Sequence, residues 1–382
     1  MRGEVGRYNT NSHLQMGRMY GFVAAGFPGD YQEIMTEISD NMYNRTVRPD
    51  AAKLKVWRYA GLMLTYRCPA SCAFCYYNCG PEAGGLMSVD MAMRTWESLE
   101  QLGGAGARVH LTGGEPFLYF DRLAAIVEAA QRSGLRGPDT IETNGFWATN
   151  REIIREQLGF LSDRGMERLK ISWDAFHAEY IDEGCVRRLV ETARELLGPA
   201  RVLVRWEKYL QEPVRLSPPA SPETYYRAAV SDFPCRFTGR AAGALAALLA
   251  DKRPDAFEGV ACLNSFLSAK GIHVDPFGNV FSGLCSGIIV GNAAHKPLEA
   301  IWRDFDPLQV DVVRTLSTEG PYGLMRAAEA RGYAPAAYFA GKCHLCTSVR
   351  EFFFDNGRYE MIIGPGECFG RRASDKRRLT CE

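Results

Sequence analysis

The chain carries no excess of charge. Its 45 Lys and Arg side chains are matched by 45 Asp and Glu, so no long-range field gathers nucleic acid or an anionic membrane, and a partner has to be recognised locally. Long hydrophobic runs are missing too. The opening MRGEVGRYNTN has no apolar stretch of the kind a secretory signal needs, and the longest small-apolar run, Ala244 to Ala250, falls far short of a bilayer span. These absences predict a cytoplasmic protein with no membrane span and no nucleic-acid partner. Internal repeats and low-complexity segments are also missing. Cysteine, by contrast, is plentiful, with 12 in 382 residues. A reduced cytosol disfavours disulfides, so closely spaced cysteines point to metal and to sensitivity toward oxygen.

Three of them, Cys68, Cys72 and Cys75, lie in the run TYRCPASCAFCYY with the spacing C-x3-C-x2-C. They offer three thiolates from one tight loop, whereas an iron–sulfur cube has four irons, so one iron would keep an open position for chemistry. Upstream, Met63-Leu64-Thr65-Tyr66 reads as the end of a strand. Downstream, Val109-His110-Leu111-Thr112 reads as a second strand running into Gly113-Gly114-Glu115-Pro116 ahead of a helix that begins near Phe120. Glycines allow backbone to approach a ligand closely, and Glu115 sets a carboxylate at a strand end, where it suits a cationic amine.

A cysteine triad followed by strand-GGEP resembles the radical S-adenosylmethionine (SAM) superfamily. Phe74, just before the third cysteine, fits the same pattern. So do Glu142-Thr143-Asn144-Gly145, Ser172-Trp173-Asp174 and Val204-Arg205-Trp206, each at the end of an expected strand. The resemblance implies a 4Fe-4S cluster on Cys68, Cys72 and Cys75, with SAM chelating the open iron. Gly113, Gly114 and Glu115 would then hold the SAM amine. Glu142, Asn144, Ser172 and Asp174 would face the ribose, and Arg205 would meet the SAM carboxylate by a charge-assisted hydrogen bond. It further implies reductive cleavage of SAM to a 5'-deoxyadenosyl radical that takes a hydrogen from substrate, fed by a low-potential donor such as flavodoxin or ferredoxin.

Residues 1–56 read as an N-terminal extension with an amphipathic helix around Tyr31 to Met42. From 57 to 235 strands near 60–66, 108–112, 140–143, 168–172 and 202–206 alternate with helices near 89–102, 120–133, 150–163 and 185–197. Such alternation predicts an α/β fold with a parallel sheet. In the family it resembles, this becomes a partial (β/α)6 TIM-like barrel with its chemistry at the C-terminal strand ends. Gly103 to Gly106 precedes a strand and is expected to be a helix-to-strand turn, since it lacks the setting of a dinucleotide fingerprint. Pro213 to Glu223 reads as a linker, 236–260 as a helical linker, 261–370 as a second domain and 371–382 as a solvated basic tail.

In that second region, residues Gly271 to Ser282 form an expected β-hairpin turning at Asp275-Pro276-Phe277-Gly278. Cys262 and Cys285 bracket it, and Cys343-His344-Leu345-Cys346 follows, so four soft ligands are available for one metal site. Zinc suits such a set as well. The hairpin, the Gly287 to Asn292 run and a helix at Leu298 to Trp302 resemble the twitch domain, a shortened relative of SPASM domains. That resemblance implies one auxiliary 4Fe-4S cluster. Cys368 is either a replacement ligand or a free thiol, and Cys79 an alternative ligand, a hydrogen-atom donor or a free thiol. Cys185 and Cys235 read as packed core or loop residues.

His177 is a candidate proton carrier near the barrel mouth or a structural histidine. Arg236 and Arg240 suit an anionic substrate group or surface pairing, while Trp173, Phe176 and Tyr180 either wall a pocket or pack. A closed auxiliary cluster favours electron transfer, hence a radical oxidase resembling inosamine dehydrogenases and, more distantly, SPASM enzymes acting on peptides or sulfatases. A methyl or other carbon-group transferase and a non-enzymatic electron-transfer protein are the alternatives. The substrate is a small molecule or a peptide, with the short segment ahead of the barrel tilting toward a small molecule.

Overall fold

A computed structural model describes residues 38–211, 221–283 and 285–371. Most of the expected helix at 31–42 lies outside the described residues, as do most of the proline-rich stretch 213–223 and the basic tail beyond Arg371. After a short helix α1 (Met42–Thr46), strands and helices alternate: β1 (Tyr59–Met63), α2 (Val89–Gly103), β2 (Arg108–Thr112), α3 (Phe120–Arg132), β3 (Thr140–Thr143), α4 (Arg151–Asp163), β4 (Leu169–Ser172), α5 (Glu183–Leu197) and β5 (Val202–Arg205). Local chemistry sets the helix starts. The side chains of Ser88, Asn150 and Asp182 accept hydrogen bonds from the backbone N–H of Met91, Ile153 and Cys185, each satisfying a donor that the helix itself leaves free. On α3, Leu123, Ile126, Val127 and Ala130 recur at helical spacing and are buried, so one apolar stripe packs the helix onto the sheet. The turn at 103–106 forms as expected, with a 3-10 turn at Gly104–Gly106 leading into β2.

β1 to β5 pair in parallel. Short helices α6 (Glu207–Gln211), α7 (Pro222–Asp232), α8 (Arg240–Ala244) and α9 (Leu263–Leu267) then lead to the hairpin of β6 (Gly271–Val274) and β7 (Asn279–Ser282), followed by β8 (Ile289–Asn292). Asp275 makes the hairpin turn. Its Oδ1 accepts from Phe277 N (2.9 Å) and Asn279 N (2.8 Å), and Gly278 takes φ 84, which a side chain would resist. The hairpin does not open a sheet of its own. β6 lies parallel to β1, with Tyr59 opposite Gly271 and Leu62 opposite Val274, and the single sheet runs β5-β4-β3-β2-β1-β6-β7-β8. The sixth parallel strand therefore comes from the region read as a second domain, and no sheet boundary falls at 261.

Gly61 of β1 shows what this join requires. A Cβ there would stand 2.3 Å from His110 Cε1 and 2.4 Å from His273 Cδ2, so the glycine makes room for two imidazoles from the strands on either side. Helices α10 (Leu298–Asp304), α11 (Asp311–Thr318), α12 (Gly320–Glu329) and α13 (Lys342–Asp355) complete the described chain. Asn41 ties α1 to them. Fully buried, it donates through Nδ2 to the carbonyls of Trp302 and Phe305 and accepts from Asn44 N. Asn41→Ala leaves these groups unpaired and is expected to cost about 3 kcal/mol, read as a lower melting temperature; an unchanged melt would show that water replaces the side chain.

Candidate active site

β1 stops at Met63, earlier than expected, because the chain next pairs with the GGEP segment. Leu64 N donates to Thr112 O (2.8 Å), Gly114 N to Thr65 O (2.6 Å) and Glu115 N to Arg67 O (3.0 Å). The cysteine loop that follows is closed by Cys68 N to Gly80 O (3.1 Å) and Gly80 N to Tyr66 O (3.2 Å). Cys68 and Cys72 are buried and Cys75 half-buried. Burial and the nearby Glu115 push the Cys68 thiol up to about 12, and burial and Cys75 push Cys72 well up. A hydrogen bond with Cys79 leads the causes that bring Cys75 down to about 6. Thiolates within electrostatic reach of one another repel, which a bound cationic iron–sulfur core would relieve.

Glu115 is fully buried. Oε1 accepts from Phe117 N (3.1 Å) and Thr143 Oγ1 (2.9 Å), and Oε2 from Asn144 N (2.7 Å). Even with these donors, burial lifts its pKa to about 7, the mark of a carboxylate short of one more donor. Asn144 reaches the other way as well, its Nδ2 standing 3.6 Å from Cys68 Sγ. The two glycines also serve the backbone itself. A Cβ on Gly113 would lie 2.6 Å from Thr65 O, and one on Gly114 2.2 Å from Arg67 O, so both are needed for backbone to pass backbone.

The other candidates separate into two groups. Phe74, Asp174, His177 and Arg205 meet beside the cysteine loop. Asp174 Oδ1 accepts from Phe176 N (2.9 Å) and His177 N (3.1 Å), and His177 Nδ1 is 3.0 Å from Asp174 Oδ2, although neither atom makes a well-aligned hydrogen bond. Burial works to raise the Asp174 pKa, but His177 and Arg205 outweigh it and hold it low. The Phe74 ring lies 5.3 Å from the His177 ring and 5.7 Å from the Arg205 guanidinium carbon. Trp206 takes the left-handed φ of 62 just after Arg205, a strained turn of the kind that gathers at functional sites. Ser172 ends β4 opposite Arg205.

Glu142 belongs to a second group. It accepts from Lys170 Nζ (2.6 Å) and Thr112 Oγ1 (2.8 Å), and although burial opposes ionisation, Lys170 and His110 hold its pKa far down. With its oxygens so engaged, it lines the barrel interior as half of an ion pair. Trp173 and Phe176 are core residues, while Tyr180 is exposed.

The C-terminal cysteines converge. Cys262, Cys285, Cys343 and Cys346 fall within electrostatic reach of one another, and burial together with neighbouring thiols pushes Cys262 to about 12 and Cys285 to about 11. Behind them Arg350, itself buried, donates to Ser286 O (2.7 Å), Cys346 O (3.3 Å) and Thr347 Oγ1 (3.1 Å). Cys368 stands apart from the four: its Sγ is 3.8 Å from Tyr66 Oη, and Asn78 Nδ2 donates to its carbonyl (2.8 Å). The two cysteine sets are joined by Ser286, whose Oγ donates to Tyr76 O (2.9 Å). Among the described residues, no group of three or more His, Cys, Asp or Glu is drawn together as a ready site for a single metal ion; a four-iron cube spreads its cysteine sulfurs more widely than one ion does.

Two residues lie beside the site in places that the sequence did not indicate. Arg240 donates to Cys72 O (2.9 Å), Cys79 O (2.7 Å) and Asn78 O (3.1 Å), so its guanidinium is engaged by the backbone of the cysteine loop. Cys235 lies within electrostatic reach of Arg205 and Asp174, its thiol pushed up to about 12 chiefly by burial. The CRFTGR run drew notice for its charge, but nothing in it announces which backbone the arginine meets.

The model of the family described as the radical SAM superfamily matches residues 62–198. A Bacillus subtilis (strain 168) protein named for peptide biosynthesis, YydG, is 24% identical over 160 residues, covering 40% of this chain and 43% of its own length. The chain thus aligns with less than half of that relative. Among solved structures, BtrN in complex with AdoMet and 2-DOIA aligns over 77% of this chain and 93% of its own at 17% identity and a TM-score of 0.41. Streptococcus suis SuiB bound to S-adenosylmethionine aligns over 79% and 77% at 12% identity and a TM-score of 0.34. The cysteine triad and the strand-GGEP segment both lie inside residues 62–198, and it is this part of the chain that is similar to the radical SAM superfamily.

Proposed function

We propose that the chain oxidises its substrate by radical hydrogen abstraction, with the C-terminal cysteines holding an auxiliary 4Fe-4S cluster that accepts the second electron. The observation that carries the radical site is Asn144, which touches both sides of it: its N–H holds the Glu115 carboxylate and its amide reaches Cys68 Sγ. The residues present fit the family's cofactors, since Cys68, Cys72 and Cys75 would hold the cluster and Glu115 the SAM amine. Bound there, cluster and SAM supply a 5'-deoxyadenosyl radical by one-electron cleavage of the sulfonium.

The chain's own part is position. Arg205, beside Asp174 and stacked over Phe74, would orient the SAM carboxylate, and Asn144, Ser172 and Asp174 would face the ribose. His177 is placed to move a proton at Nδ1, next to Asp174 Oδ2. Below them His110, His273 and the Lys170–Glu142 pair give the barrel a polar interior suited to a polar substrate. The sequence relative named for peptide biosynthesis supports a peptide substrate over the small molecule that the short leading segment suggested. Among the described residues no helix is long and apolar enough to cross a membrane.

The test is iron and sulfide content after anaerobic reconstitution, with 5'-deoxyadenosine and product mass measured under reduction. About eight irons, falling to about four with loss of deoxyadenosine when Cys68, Cys72 and Cys75 become alanine, is the expected result. A product lighter by a hydrogen pair supports oxidation, and a product gaining a carbon group assigns a transferase instead. Zinc in place of the second cluster would overturn the electron-acceptor role.

A further inference from the structure

Four side-chain and backbone bonds from one residue converge on the cysteine loop. Besides the three guanidinium bonds to the carbonyls of Cys72, Asn78 and Cys79, Arg240 N donates to Cys75 O (2.9 Å). The preceding Gly239 takes φ 56, and a Cβ on it would lie 2.3 Å from Tyr76 O, so this segment is pressed against the loop. The loop has few other means of holding those carbonyls, because it is neither helix nor strand between Arg67 and Leu86 apart from its closing bridges. A planar fork of N–H groups fixes several acceptors at once, which an ammonium on a flexible stem does less well.

The same segment is held from its other side by the second cysteine set. Thr347, one residue after Cys346 on α13, shares its single hydroxyl proton between Cys343 O (2.8 Å) and Phe237 O (3.3 Å), and the Arg236 guanidinium lies 6.0 Å over the Tyr76 ring. A chain of contacts therefore runs from α13 through Phe237 to Arg240 and on to Cys72 and Cys75. Taking Cys68, Cys72 and Cys75 as cluster ligands, we propose that Arg240 is the positioning residue of the radical cluster, and that through Phe237 and Thr347 it makes the geometry of that cluster depend on the C-terminal cysteine set. The guanidinium also brings a positive charge beside an anionic thiolate-bound cluster, where it favours the added electron.

The experiment uses the full chain, reconstituted anaerobically, as wild type, Arg240→Gln, Arg240→Lys and Cys343→Ala/Cys346→Ala. Readouts are iron per chain, the reduction potential by EPR-monitored titration and the change that SAM induces in the EPR spectrum of the reduced cluster. Arg240→Gln is expected to lose at least half of the iron that depends on Cys68, Cys72 and Cys75 and to move the remaining cluster to a more negative potential. Arg240→Lys is expected to keep more iron, restoring the charge but not the fork, with an altered SAM-induced spectrum; it also serves if the Gln variant does not fold. The double cysteine variant is expected to alter that same spectrum. Unchanged iron, potential and spectrum in both Arg240 variants would overturn the positioning role, and an unchanged spectrum in the double cysteine variant would overturn the coupling. A wild type that loses no iron when Cys68, Cys72 and Cys75 are replaced would instead sink the cluster assignment itself.

Discussion

Glu115→Gln is expected to weaken SAM binding about 10- to 100-fold, the worth of a charge-assisted hydrogen bond, and to change how binding depends on pH. An amine held at the open iron would offer only N–H, which an ionised carboxylate accepts more strongly than a neutral acid or an amide oxygen. In the ligand-free protein burial holds the Glu115 pKa up at about 7. The raised value favours the neutral acid, so this group's contribution to fold stability is full below the ordinary carboxyl range and is lost as pH rises through about 7. Binding runs the other way: below about 7 the ligand must first expel a proton from Glu115. The α-amine of SAM itself sheds a proton on binding, with an ordinary pKa near 8, and that slope appears in both proteins. Wild type should therefore lose affinity about 10-fold more steeply per pH unit below about 7 than Glu115→Gln does. Equal slopes would place the amine elsewhere.

Gly114→Ala should remove the radical cluster altogether. A Cβ at 2.2 Å from Arg67 O and 2.8 Å from Tyr66 O meets backbone on both contacts, and neither can turn aside as a side chain would. The strain is about 3 kcal/mol, and the cheapest relief is to push Arg67 away, carrying Cys68 with it. Iron dependent on the first cysteine set should be lost while that of the second set stays. Gly84→Ala is the control, because nothing lies within 4 Å of a Cβ there. A Gly114→Ala protein that keeps its iron would show that the segment 64–67 yields more readily than its hydrogen bonds suggest.

Much of this was legible in the chain. Strand and helix limits near 108–112, 140–143 and 151–163 follow from apolar spacing and from caps such as Ser88 and Asn150, which act locally. Both cysteine sets were visible because ligand spacing is itself a sequence property. What escaped was every contact decided by distant partners. The glycines of GGEP look the same in sequence whether they admit a ligand or a neighbouring backbone. Gly61 gives no sign of the two imidazoles that fill its place. Arg240 reads as one more surface charge until Cys72 and Cys79 are beside it, and Glu142 as a free carboxylate until Lys170 and Thr112 claim it.

The pairing of β6 with β1 carries a consequence for how the protein is made. β1 lies in the middle of the finished sheet, yet one of its two neighbours is synthesised only after all five βα units have left the ribosome. Until then β1 presents an open edge of backbone donors and acceptors that another chain can add to. A contact of such long sequence separation also closes slowly. Chains truncated before Gly271 should thus aggregate instead of folding into a smaller unit, and the nascent chain is exposed to the same hazard during that interval.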